Sequence, residues 1–100
     1  MVGAQMNKRI RDKKHLKRVA ELGCYLCGGE AVPHHLIASG SHGMGIKAPD
    51  CEVLPLCHDH HMGLHAHGDE KAWFANLGYV YEEIITTCHD LYKETLRLRK

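Results

Sequence analysis

Aromatic side chains are scarce in this 100-residue chain, which has one Trp, one Phe and four Tyr. It also has only three prolines and no surplus of charge, with a formal net value of +1 at pH 7. No apolar run approaches the roughly 20 residues that a membrane-spanning helix needs. These absences exclude a transmembrane segment, a proline-rich spacer and a highly charged disordered chain. They also leave a modest apolar core, and a single small domain with such a core ordinarily needs a staple. Disulfides fit poorly as that staple, because five cysteines is an odd number. No apolar stretch precedes a small-residue cleavage site near Met1. The expectation is therefore a soluble, cytoplasmic protein with reduced thiols and no membrane partner.

Ten histidines and five cysteines stand out, and most of them cluster. Cys24 and Cys27 are two residues apart and followed by Gly28-Gly29, the pattern of a zinc knuckle. Cys57 and His60 repeat the two-residue spacer after a long excursion. Two such pairs supply the four tetrahedral sulfur and nitrogen ligands that structural zinc prefers, and in so small a domain the Zn2+ is part of the fold. Cys51 and Cys88 lack a partner at such spacing and read as small buried hydrophobes.

The histidines form a second set. His34 and His35 sit in a strand candidate, residues 30–37, where neighbours point to opposite faces and so divide their roles. His61 and His65 lie four apart on a helix read over residues 57–66, and so share a face. His34, His61 and His65 together make a three-imidazole site with open coordination positions, the mark of a catalytic ion. His60 and His61 differ by about 100 degrees around that helix, which lets each serve a different ion. His42, His58 and His67 lie close enough to substitute but read as solvent-facing or phosphate-contacting, while His15 and His89 fall on predicted helices without a role.

Charge is uneven along the chain. Lys8, Arg9, Arg11, Lys13, Lys14, Lys17 and Arg18 crowd one stretch against the single Asp12, in a basic helix predicted over residues 8–22. Lys93, Arg97, Arg99 and Lys100 repeat the bias more weakly at the end of an amphipathic helix that starts at Tyr81. A solvated helix face is the plain explanation, and contact with a polyanion is the functional one. Gly40, Gly43 and Gly45 make residues 38–50 an irregular loop; Val53 to Leu56 read as a second strand, and Asp69 reads as the cap of a short helix. The fold class is α+β. Its domain map is disorder over 1–7, the basic helix over 8–22, a metal-bearing core over 23–67 and helices over 69–100.

The quoted pieces resemble the HNH, or ββα-metal, nucleases. These are Cys24-Tyr25-Leu26-Cys27, Pro33-His34-His35-Leu36, and the run from Leu56 through Cys57, His60 and His61 to His65. Residues 43–50 before Pro55-Leu56-Cys57 look closer still to phage-borne members, among them recombination-enhancement nucleases that act with the RecA recombinase. The resemblance covers roughly residues 8–78. It implies a zinc-stapled ββα-metal domain that hydrolyses DNA phosphodiester bonds, with His35 as general base. His34, His61 and His65 would hold the catalytic divalent cation, and Cys24, Cys27, Cys57 and His60 the structural zinc. One departure stands where the family carries asparagine, five residues before the third zinc ligand. Glu52 takes that place, as a catalytic candidate beside the nearby Asp50. Three imidazoles favour Zn2+ by affinity, whereas Mg2+ or Mn2+ is favoured by availability. The basic stretch and Lys47 would contact DNA phosphates, and a RecA filament is the partner that the closer resemblance suggests. Two other classes stay open: a non-catalytic zinc module that docks on nucleic acid or protein, and a redox or metal-storage protein.

Overall fold

The computed structural model describes residues 10–39 and 48–99, with the element order α1 (Lys13–Glu21), β1 (Val32–His35), β2 (Val53–Leu56), α2 (His58–His67), α3 (Glu70–Asn76) and α4 (Tyr81–Leu98). The expected disorder of residues 1–7 lies outside the described residues, as do Lys8, Arg9, His42 and Lys47. The architecture is α+β, with one two-stranded antiparallel sheet and four helices among the described residues. None of these helices is long and apolar enough to cross a membrane.

The strands pair with Val32 opposite Leu56, Pro33 opposite Pro55, His34 opposite Leu54 and His35 opposite Val53. Proline has no N–H to donate, so two facing prolines require a pair that exchanges no ladder bonds. The Pro55 carbonyl accordingly points away from β1 and accepts from the Tyr25 amide at 2.8 Å. That bond anchors the cysteine knuckle to the sheet edge. Strand β1 is shorter than residues 30–37, although one more ladder bond follows it, from Leu36 N to Glu52 O at 3.0 Å. Every residue of β2 is buried, because α1, α2 and α4 all pack on it. Leu36, Leu54, Leu56, Leu64, Phe74, Tyr81 and Ile84 form the core, with Trp73 and Tyr79 packed against it. Cys51 and Cys88 are buried as expected.

Helix α1 begins five residues later than the basic run suggests. Asp12 interrupts the run, and its side chain accepts from the His15 amide at 3.0 Å as an N-cap. The helix turns His15 and Val19 inward. His15 donates or accepts through Nδ1 at 2.7 Å from Thr95 Oγ1, and its ring edge meets Tyr92 at 5.0 Å between centroids. It is a core residue, where the sequence alone gave it no role. Arg18 also faces α4, where it donates to Thr95 Oγ1 and to Glu94 at 2.9 Å each.

Burial pulls the His15 pKa below the ordinary histidine value, and the nearby Asp12 offsets only part of that. His15 Nε2 is buried without a hydrogen-bond partner among the described residues, so a proton there would be poorly accommodated. Between the lowered folded pKa and the unfolded value of about 6.5, the unfolded chain binds more protons, so stability falls as pH drops below about 6.5. His15→Leu is expected to flatten the dependence of the urea midpoint on pH between about 5 and 7 relative to the wild type. An unchanged slope in the variant would assign the acid sensitivity to other groups.

Candidate metal centres

The knuckle is built by a tight turn. Gly28, at φ +79, donates its amide to Cys24 O at 2.7 Å, and Cys24 N returns a bond to Gly29 O at 2.7 Å. Gly23, at φ +85, leads into the turn; a Cβ there would lie 3.1 Å from Gly28 O. The turn faces the start of α2, where Cys57 is the N-cap and accepts from His60 N. Cys24 Sγ lies 3.6 Å from His60 Nδ1, Cys57 Sγ lies 3.2 Å from the same nitrogen, and the Cys27 and Cys57 sulfurs are 3.8 Å apart. A tetrahedral zinc with ordinary bond lengths has edges of about 3.8 Å between sulfurs and about 3.5 Å between sulfur and nitrogen. The donor set therefore fits a structural zinc in chemistry and in size. Burial alone would push the Cys24 thiol up, but backbone amides of Cys57, Leu26 and Cys27, together with His60, bring it down to about 6. All five cysteines are free thiols.

The second cluster is separate. His34, His61 and His65 offer ligand atoms that all lie within 4.8 Å of one another. The His61 and His65 Nε2 atoms are 3.1 Å apart, and the His34 ring centroid lies 5.1 and 5.6 Å from those two rings. His60 and His61 do serve different clusters, as their angular offset on α2 implies. Burial pulls the His61 pKa down and the neighbouring imidazoles of His34 and His65 add to this, which favours the neutral form that ligates. Exposed His58 and His67 join neither cluster. A cleft of about 450 Å³ opens beside the cluster, lined by Ile37, Leu64, His65, Gly68 and Asp69 among others.

Carboxylates brace the histidines. His35 Nε2 lies 2.8 Å from Asp50 Oδ1, and the other Asp50 oxygen accepts from the Asp12 amide at 2.6 Å. A carboxylate only accepts, so His35 carries a proton on Nε2. Asp50, the second candidate for the central position, is thus the carboxylate bonded to His35. Buried Glu52 accepts from Ser39 Oγ at 2.7 Å and from His89 Nε2 at 3.0 Å, joining the loop after β1 to α4. His34 Nε2 lies 2.7 Å from Glu70 Oε1. Sequence reasoning missed Glu70, Tyr81 and His89. Glu70 reads locally as an ordinary acid in a helix's first turn, and nothing in its neighbours signals burial at 4% exposure.

Of the basic residues proposed to meet DNA, Lys13, Lys14 and Lys17 are exposed on α1. Arg11 is exposed and donates to Ile10 O at 2.8 Å and Ala48 O at 3.3 Å. Arg18 differs from the expectation: its guanidinium is held by Glu94 and Thr95 in the seam with α4.

The purified protein is expected to hold one tight zinc equivalent by elemental analysis. Cys27→Ser should lose that zinc and the cooperative unfolding transition, because removing a ligand of a structural zinc removes folding free energy. His35→Ala, which touches no sulfur ligand, should keep both. Equal loss in the two variants would show that His35 is as structural as Cys27 and that the roles are wrongly divided.

Comparison with known proteins adds kinship without an activity. A curated relative, the uncharacterized protein YdfU of Escherichia coli (strain K12), is 50% identical over 59 residues, a stretch covering 58% of this chain and 17% of YdfU. No solved structure matches the chain. The family model described as protein of unknown function (DUF968) matches residues 5–94. This chain therefore belongs to the DUF968 family.

Proposed function

We propose that this chain is a divalent-ion-dependent nuclease domain of the HNH, ββα-metal type that hydrolyses DNA phosphodiester bonds in phage-derived recombination or DNA processing. One observation carries the reading: β1, β2 and α2 bring His34, His61 and His65 together beside a Cys3His cluster, with His35 next in sequence and held by a buried carboxylate. A docking module needs only the Cys3His cluster. The second imidazole cluster and the braced His35 are what the nuclease reading explains.

Hydrolysis needs a base for the attacking water and stabilisation of charge on the leaving oxygen. His35 supplies the base: Asp50 holds the Nε2–H, so Nδ1 accepts the proton from water, and the same carboxylate stabilises the imidazolium that results. His34, His61 and His65 would hold the divalent ion, which supplies Lewis acidity toward the phosphodiester and its 3′-oxygen. The Asp12 amide fixes Asp50, and so couples the base to the segment that opens the basic helix. Arg11, Lys13, Lys14 and Lys17, with Lys8, Arg9 and Lys47 outside the described residues, would hold phosphates. Such contacts give affinity without sequence preference. Selectivity would then come from DNA shape or from a partner such as a RecA filament.

Supercoiled plasmid incubated with the zinc-loaded protein is expected to be nicked with Mg2+ or Mn2+ and spared with EDTA. His35→Ala should lower the rate by about 10²- to 10⁴-fold while remaining folded, as loss of a general base does. Replacing Lys13, Lys14 and Lys17 by alanine should weaken DNA binding and flatten its dependence on salt. A folded, zinc-loaded protein that binds no second ion and leaves every DNA substrate intact would be the docking module instead.

A further inference from the structure

His34 is 2% exposed, yet its ring does not end in apolar packing. Its Nε2 meets Oε1 of Glu70, the first residue of α3, at 2.7 Å. The other Glu70 oxygen accepts from the Tyr81 hydroxyl and from the backbone amides of Ile37 at 2.9 Å and Ala38 at 3.4 Å. Each of these partners can donate to a carboxylate that only accepts. A His34 proton therefore sits on Nε2, and in the neutral ring the lone pair is then on Nδ1.

We infer that Glu70 is a positioning residue of the three-histidine site: by holding the His34 Nε2–H it fixes the tautomer in which Nδ1 is the ligand nitrogen. The inference rests on reading His34, His61 and His65 as a divalent-ion site, and is independent of DNA cleavage. Three links set the chain of constraint. Tyr81 at the start of α4 and the two amides after β1 lock the carboxylate, the carboxylate locks the imidazole, and the imidazole meets α2. A carboxylate behind a ligating histidine orients the ring and raises its basicity, and losing it costs metal affinity.

Substitution chemistry makes the role testable. Glu70→Gln places an NH2 group where an oxygen was. Turned toward His34, that group needs an acceptor and drives the ring to the Nδ1–H tautomer, which cannot ligate through Nδ1. Turned toward Ile37 and Ala38, it sets donor against donor. Tyr81→Phe removes one donor to Glu70 and leaves the bond to His34 in place.

The experiment titrates Co2+ into protein already carrying one zinc equivalent, followed by visible absorption and calorimetry. Binding at imidazoles lacks the sulfur-to-cobalt charge-transfer band, so exchange at the cysteine cluster is recognised separately. Glu70→Gln is expected to weaken the Co2+ site by about 10- to 100-fold with the zinc content and circular dichroism unchanged. Tyr81→Phe should weaken it far less. Long-range 15N–1H spectra of the imidazoles, taken before Co2+ is added, should show His34 protonated on Nε2 in the wild type and on Nδ1 in Glu70→Gln. A wild-type His34 protonated on Nδ1 overturns the inference. So does a folded Glu70→Gln that binds Co2+ as tightly as wild type, or a wild type that binds no second ion. Should Glu70→Gln fail to fold, the wild-type tautomer decides alone. Glu70-dependent Co2+ binding in a protein that cuts no DNA would support the inference and retire the nuclease reading.

Discussion

The pairing of two four-residue strands governs both histidine positions. Because side chains alternate with a period of two, a slip of one residue would exchange the environments of His34 and His35. Pro33 and Pro55 oppose such a slip. They face each other in a pair that exchanges no ladder bonds, and moving either by one residue would put a missing donor where a bond is required. With the register held, His34 meets α2 and Glu70, whereas His35 meets Asp50. The same pair turns the Pro55 carbonyl outward to Tyr25, which brings the knuckle within reach of Cys57 and His60.

Legibility in the sequence follows the range of the interaction. Cys24, Cys27, Cys57 and His60, and likewise His61 and His65, declare themselves because ligand pairs on a turn or one helix face have local spacings. The strand β2, the cap Asp69 and the start of α4 at Tyr81 are local as well, and the structure places them where the pattern does, while α2 runs one residue later than 57–66 because Cys57 is its cap. The start of α1 was masked by charge: a continuous basic run suggested a helix from residue 8, while one capping carboxylate, Asp12, sets it at Lys13. Arg18 looked like its basic neighbours until helix phase turned it toward Glu94. Asp50 enters only as the second candidate for the central position and Glu70 not at all, because their contacts lie 15 and 36 residues away in sequence.

Polar burial is heavy for so small a chain. His15, His34, Asp50, Glu52, Glu70 and Thr95 are all buried. Each such group costs free energy unless it is bonded, and a chain with few aromatics has little apolar surface to offset that. The bonds are correspondingly complete for the carboxylates: Asp50, Glu52 and Glu70 each bond through both oxygens. Buried polar groups arranged this way specify geometry more than they add stability. All three carboxylates brace histidines, two of them the adjacent pair on β1.

Helix α2 shows what that geometry depends on. Of its ten residues only Leu64 is buried, and Gly63 sits mid-helix at a cost of about 1 kcal/mol relative to alanine. A helix of this length is marginal in isolation, and packing of an apolar face normally stabilises it. Here that face is nearly absent, because His60, His61 and His65 occupy positions that aliphatic residues would otherwise fill. The remaining ties are at the ligands: Cys57 and His60 hold the first turn to the knuckle, while His61 and His65 converge on His34 across the sheet. The element that contributes most to the two clusters therefore places a single buried residue, Leu64, in the apolar core. Ions at both clusters would supply the cross-links that its sequence forgoes, so binding at these sites and ordering of α2 are two descriptions of the same free energy.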